Sequence, residues 1–196
     1  MTMRPPVLVT APAALPVTLV AAKQHLRVDH DDSDELITAY IEAATDHLDG
    51  YSGVLGRALI NQTWRQDFDS FCSTMRLSLP ASGIVSVAWR NEDGQMATVA
   101  ADDYALQRDS TSVLVRFKDG YSFPSGLYQT EAVSITYTVG YGAAPEDVPA
   151  AIRAAIMLMV GDLYENRATV SERGSGRIDM SMTVNALVSP YRRHIV

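Results

Sequence analysis

The sequence predicts an α+β chain: a helical bundle of two N-terminal helices, one long buried helix and a short C-terminal helix, with an antiparallel β insertion between the second and third helices. Three observations predict it. Apolar residues recur at helical spacing from Leu36 to Tyr51, and again more densely from Val148 to Arg167. Between these stretches the period falls to two, in short runs separated by Gly, Pro and an Asp93-Gly94 turn.

Residues 1–16 are Pro-rich and without period, which predicts an extended N-terminal arm. The folded body is expected over residues 17–167, with the β insertion at about 60–140. Residues 168–196 are expected to form a flexible tail carrying a short docking segment.

Within the body, Thr18 is placed to cap a helix through Leu19, Ala22 and Leu26 that stops near Val28. The acidic run from Asp29 to Glu35 supplies a turn and the next cap, from Asp32 or Ser33. Leu36, Ile37, Tyr40, Ile41, Ala44, Leu48 and Tyr51 then share one helical face, and Gly50, Gly53 and Gly56 end that helix. Strands are predicted over Thr63–Phe68, Met75–Leu79, Ile84–Trp89, Tyr104–Gln107, Val113–Phe117 and Val133–Val139.

The long helix carries two apolar stripes, Ile152, Ile156, Met159 and Leu163 beside Met157, Val160 and Tyr164, which predicts burial on most of its circumference. Pro149 suits its first turn and Asp147 its cap. Arg153, Asp162 and Glu165 interrupt the apolar run, which is shorter than the roughly 20 residues a bilayer span needs. A core helix is expected, and no membrane partner. After Arg167 the sequence is polar and without a sustained period, then regains apolar residues in VNALVSPYRRHIV, predicted as a short helix ending near Ser189. An apolar end on a tether is a docking device.

An apolar fraction of 47% with 20% charged residues belongs to a globular chain, not a disordered one. The net charge of −7 opposes general nucleic-acid binding, because phosphate contacts need clustered Lys and Arg, and the first such pair is Arg192-Arg193. The single Cys72 excludes an intrachain disulfide framework and a multi-cysteine zinc site, which suits a reducing cytoplasm. Four prolines among the first residues break any signal-peptide helix, so no export signal is expected.

No constellation assembles an active site. The run from Asp29 to Glu35 has oxygen ligands at alternating positions, as calcium requires, but Asp34 and Tyr40 stand where an EF-hand loop needs glycine and glutamate. It reads as a solvated helix cap. His25, His30, His47 and His194 have no metal-ligand spacing, Cys72 has no nucleophile signature, and no serine sits in a GxSxG elbow. Gly140-Tyr141-Gly142 lacks the third glycine and the Lys-Ser/Thr ending of a phosphate loop. No metal, no cofactor and no enzymatic activity are expected. Tyr164, Asn166 and Arg167 form a polar helix exit, read either as simple termination or as an interface that fixes where the tail leaves.

With these residues in view, the motifs LVAAKQHLRVDHDDSDELITAYIEAATDHLDGYSG, GRALINQTW, LPASGIVSVAW, VSITYTVGYG, VPAAIRAAIMLMVGDLYENR and LVSPYRR resemble, in this order, the head-tail connector (adaptor) proteins of tailed phages and gene transfer agents. The resemblance implies a structural protein of a phage-like particle, assembled in the bacterial cytoplasm. It implies a homo-oligomeric ring, usually of twelve copies, with the portal protein above and a stopper or head-completion protein below. DNA would pass through the ring without specific binding. It also implies that the C-terminal segment reaches the portal, which makes Leu187, Val188, Tyr191, Arg192, Arg193 and Ile195 the candidate interface residues. The β insertion departs from the shortest, all-helical members. Two other classes fit parts of the sequence: an acidic-surface regulatory module that recruits basic proteins, and a metal-dependent hydrolase built on His25, His47 and the acidic run.

Overall fold

The structure is a computed structural model that describes residues 3–109, 112–166 and 181–193. Its described residues form eight strands and four α-helices. The strands are β1 (Val7–Thr10), β2 (Gln62–Phe68), β3 (Thr74–Leu77), β4 (Ala81–Arg90), β5 (Met96–Thr98), β6 (Tyr104–Arg108), β7 (Val113–Phe117) and β8 (Val133–Val139). The helices are α1 (Leu19–Leu26), α2 (Asp34–Leu48), α3 (Ala150–Glu165) and α4 (Met182–Val188). The chain divides into two compact units: unit 1 draws on Met1–Ala13 and Asn61–Gly140, unit 2 on Ala14–Ile60 and Tyr141–Arg193.

This overturns the expectation of a helical bundle with a β insertion. The fold is a sheet-rich α+β arrangement, with one five-stranded antiparallel sheet in the order β1-β2-β8-β4-β5 and one three-stranded antiparallel sheet in the order β3-β7-β6. The strands are a body in their own right, with their own core of Phe68, Met75, Leu77, Val87, Val115, Ile135 and Tyr137, all fully buried. The physical reason is that the strands bury one face in a core of their own and pair both edges of β8. β8 reads VSITYTV and buries every second residue, so it pairs with β2 on one side and β4 on the other.

In the same unit, Gln66 on β2 is fully buried and serves as a polar tie. Its Nε2 donates to Ser78 Oγ at 3.0 Å, and its Oε1 accepts from the Ser78 amide at 2.9 Å and from the Tyr137 hydroxyl at 3.4 Å. A buried polar side chain is tolerated only when its hydrogen bonds are made inside the protein.

Unit 2 holds the helices. The Thr18 hydroxyl accepts from the Ala21 amide at 3.2 Å and so caps α1, as its sequence position predicts. Arg27, in the left-handed region at φ 58°, ends α1 while its amide and that of Val28 return to Gln24 and Lys23 carbonyls. Ile37, Ile41, Ala44 and Leu48 on α2 meet Ile152, Ala155, Ile156 and Val160 on α3 in one apolar core. Asp49 Oδ1 accepts from the Leu59 amide at 2.6 Å and folds the loop after α2 back on itself. Gly53 is required there, because a Cβ would press on the Leu48 carbonyl group at 2.6 Å.

α3 departs from its expected burial. Only the stripe of Ile152, Ala155, Ile156 and Val160 is buried, while Met157, Leu158 and Met159 are half-buried and Leu163 is 38% exposed. The helix also starts later than expected. Pro149 stands at its N-cap, and Asp147 instead accepts from the Ala144 amide at 3.0 Å to close a 3-10 turn ahead of it.

Candidate assembly interface

The C-terminal segment does not lie free. α4 begins at Ser181, whose hydroxyl accepts from the Val184 amide at 3.2 Å, and packs on α3. Val184 and Val188 sit in the unit 2 core at 1% and 0% exposure. Beyond α4, Ser189–Tyr191 form a 3-10 turn, and the Arg193 amide donates to the Leu55 carbonyl at 3.0 Å.

The candidate residues therefore divide. Val188 is a core residue and offers nothing to a partner, because the α4 periodicity that makes it apolar points it inward with Val184. Leu187, Tyr191, Arg192 and Arg193 are half-buried, with the Arg192 Nε buried and without a hydrogen-bond partner. Ile195 and Arg167 lie outside the described residues. Tyr164 is half-buried against the same core, and Asn166 is exposed, its amide group donating to the Asp162 carbonyl at 3.0 Å to finish α3.

The acidic run is organised by a residue that its composition does not single out. Lys23, on α1, donates to Asp31 Oδ1 at 2.6 Å and lies 2.6 Å from Asp34 Oδ1. The hydrogen bond to Asp31, followed by that to Asp34, raises the Lys23 ammonium above its ordinary value, and the same bond from Lys23 lowers the Asp31 carboxyl. The turn is a lysine-centred clasp between α1 and α2. Among the described residues, no group of three or more His, Cys, Asp or Glu is gathered for a metal ion.

The signs set the expected pH response. With the Asp31 carboxyl held low, its contribution is present above the ordinary carboxylate range and lost as pH falls through the folded value. The raised Lys23 contributes at every pH below its ordinary 10.5 and fails only as pH rises past its folded value. Thermal melts should therefore show Asp31→Asn losing less stability than the parent chain between neutral pH and about pH 3. Equal losses in both proteins would refute the clasp.

In unit 1, an open cavity of about 400 Å³ is lined by Arg116, Lys118, Tyr121 and Phe123, among others. Phe117 stacks on Tyr121 at 5.3 Å and meets Phe71 and Phe123 edge-on, while Phe71 and Phe123 lie tilted to each other in the same aromatic cluster. Burial raises the phenols of Tyr104 and Tyr121, with Asp103 adding to the second. The cluster is a packing feature of unit 1. Sequence reasoning also missed the apolar exposure of β1, where Val7, Leu8 and Val9 are 52%, 43% and 56% exposed. The available signal was the uncharged run from Pro5 to Ala22.

Against known proteins, residues 16–70, which span α1, α2 and β2, match the family described as phage gp6-like head-tail connector protein. No curated protein matches the chain. Among solved structures, a chain from the neck of an empty gene transfer agent particle, computed with C6 symmetry, aligns with a TM-score of 0.76 at 21% identity, over 100% of this chain and 97% of that one. A chain from the virion of a native gene transfer agent particle gives 0.75 at 22% identity over the same shares. A third, from a native neck computed with C12 symmetry, gives 0.68 at 22% identity, again over 100% and 97%. The resemblance read from the sequence motifs is thus borne out: residues 16–70 match the phage gp6-like head-tail connector family, and the whole chain shares the fold of chains from gene transfer agent particles.

Proposed function

We propose that the protein is a structural head-tail adaptor, placed at the head-tail interface of a phage-like particle, where copies assemble as a ring beneath the portal and join it to the stopper or tail. The observation that carries this reading is the full-length fold match to chains of gene transfer agent necks. A ring of twelve copies suits both neck symmetries, because twelvefold order contains sixfold order. The net charge of −7 suits a channel wall, since an acidic lumen lets DNA pass without phosphate contacts. The work is mechanical, not enzymatic.

In this reading, the half-buried Leu187, Tyr191, Arg192 and Arg193 meet the portal together with Ile195, and Tyr164, Asn166 and Arg167 fix the exit of the segment leading to them. Arg192, whose Nε has no hydrogen-bond partner among the described residues, is the residue best suited to a carboxylate or carbonyl on the portal.

The genetic test is deletion of this chain from the producing cell, with complementation. Filled heads and separate tails, rejoined by the wild-type chain, are the expected products. Normal tailed particles from the deletion strain would refute the adaptor role.

A further inference from the structure

Among the described residues, the five-stranded sheet of unit 1 ends in two edges that pair with no further strand. At one, β1 pairs only with β2, and all four of its residues are exposed. Successive strand residues point to opposite faces, so both faces of β1 are open to solvent. At the other edge, β5 pairs only with β4, and its three residues are exposed, Met96 at 62%. Neither strand carries a charge. Soluble proteins ordinarily blunt such edges with charged side chains, because an apolar edge is a template for another strand.

We propose that β1 of one copy pairs with β5 of the next, joining the sheets edge to edge into a continuous belt around the ring. The proposal rests on the adaptor reading and names its subunit contact. A second copy is the occupant that fits, because one chain offers both halves of the junction, each short, apolar and uncharged. Copies with a net charge of −7 repel one another, and they meet with least opposition where each presents an uncharged strand. Contact through two different patches is heterologous and gives a ring where its rotation closes, whereas β1 on β1 would be isologous and stop at a dimer.

Strand direction and length agree with this. Antiparallel pairing across the sheet leaves β1, β8 and β5 pointing one way and β2 and β4 the other. Sheets carried from copy to copy with their strands in the same sense therefore meet as a parallel β1–β5 pair. Pro5 and Pro6 before β1, and Pro12 after it, have no amide hydrogen to donate, which confines the junction to β1 and matches the short β5.

The test is cysteine cross-linking in a Cys72→Ser background, since Cys72 is exposed and free. Ala97→Cys is combined in turn with Val7→Cys, Leu8→Cys and Val9→Cys, and each chain is assembled on the portal ring of its particle and oxidised. Paired strands lie about 4.8 Å apart, within the span of roughly 4.4–6.8 Å between the Cα atoms of a disulfide. At least one combination should give a ladder of linked copies up to the full ring, and no single cysteine should give it. A dimer from a β1 cysteine alone would overturn the proposal. So would a full ring without any ladder, which leaves the adaptor reading standing; failure to form any ring would overturn both. As a second variant, Val9→Lys, at an exposed position, should weaken ring occupancy about tenfold with an unchanged melting temperature. Full occupancy by that variant would contradict the β1 contact.

Discussion

Removal of residues 181–196 destabilises unit 2 by about 3–6 kcal/mol, the combined scale of two fully buried valine side chains. Val184 and Val188 are 1% and 0% exposed in the same cluster as Ile37, Ile156 and Val160, and Leu187 and Tyr191 pack against them. The deletion would leave an apolar trough on α3 open to water. A loss of that size is a large share of the roughly 5–15 kcal/mol that holds a typical domain folded. Urea titration of the full chain and of residues 1–180 measures it, and Val188→Ala, at about 2 kcal/mol, provides a milder step of the same kind. Equal midpoints for the full and shortened chains would show that α4 is not part of the core. The sequence alone favours another outcome, a folded bundle preserved on truncation after Arg167 with portal docking lost, because the tail reads as contributing little core.

Gln66→Leu is the second large effect, expected at about 2–5 kcal/mol, because it removes the acceptor of the Ser78 amide and of the Tyr137 hydroxyl inside the unit 1 core. Leucine fills a comparable volume, so the loss reports hydrogen bonding more than packing. Tyr137→Phe deletes the 3.4 Å contact to Gln66 Oε1 and should cost about 1 kcal/mol. Gln66→Glu keeps the oxygen that accepts both bonds but loses the Nε2 donor to Ser78 Oγ and places a carboxylate at a fully buried position, and its penalty should shrink as the pH is lowered and that group is protonated. Denaturant midpoints of the three variants give the ranking, and a Gln66→Leu protein as stable as the parent would refute the tie.

Much of the local structure is legible in the sequence. Thr18 marks the start of α1, the spacing of Ile37, Ile41, Ala44 and Leu48 marks the buried face of α2, and the alternation of Val113–Phe117 and Val133–Val139 delimits β7 and β8. The architecture was not legible. β4 has register shifts between Ala81 and Gly83 and between Ile84 and Ser86, which break its alternation, and β5 is three residues long. β1 lies between prolines with all its side chains exposed, so no in-out pattern distinguishes it from an arm. Its strand character comes from β2, more than fifty positions away, through pairs such as Val7 with Arg65. Among the site residues, Val188 and Leu187 are adjacent and both apolar, and only the packing of α4 on α3 separates the buried one from the half-buried one.

The acidic clasp shows the same division. The run from Asp29 to Glu35 is conspicuous as composition, yet its meaning comes from Lys23, placed opposite Asp31 and Asp34 by the turn that ends α1 at Arg27. Charge alone had left a solvated cap and a metal loop as alternatives; geometry supplies a cation from within the chain.

The proposed assembly of this chain is a ring on a portal. It is tested most directly by mixing the purified full-length chain with the portal ring of the same particle and weighing the product by native mass spectrometry. The account predicts one dominant species, the portal plus a full complement of twelve copies, with few partly filled rings because each added copy contacts its neighbours. Portal rings of unchanged mass, or a single copy bound without neighbours, would contradict it.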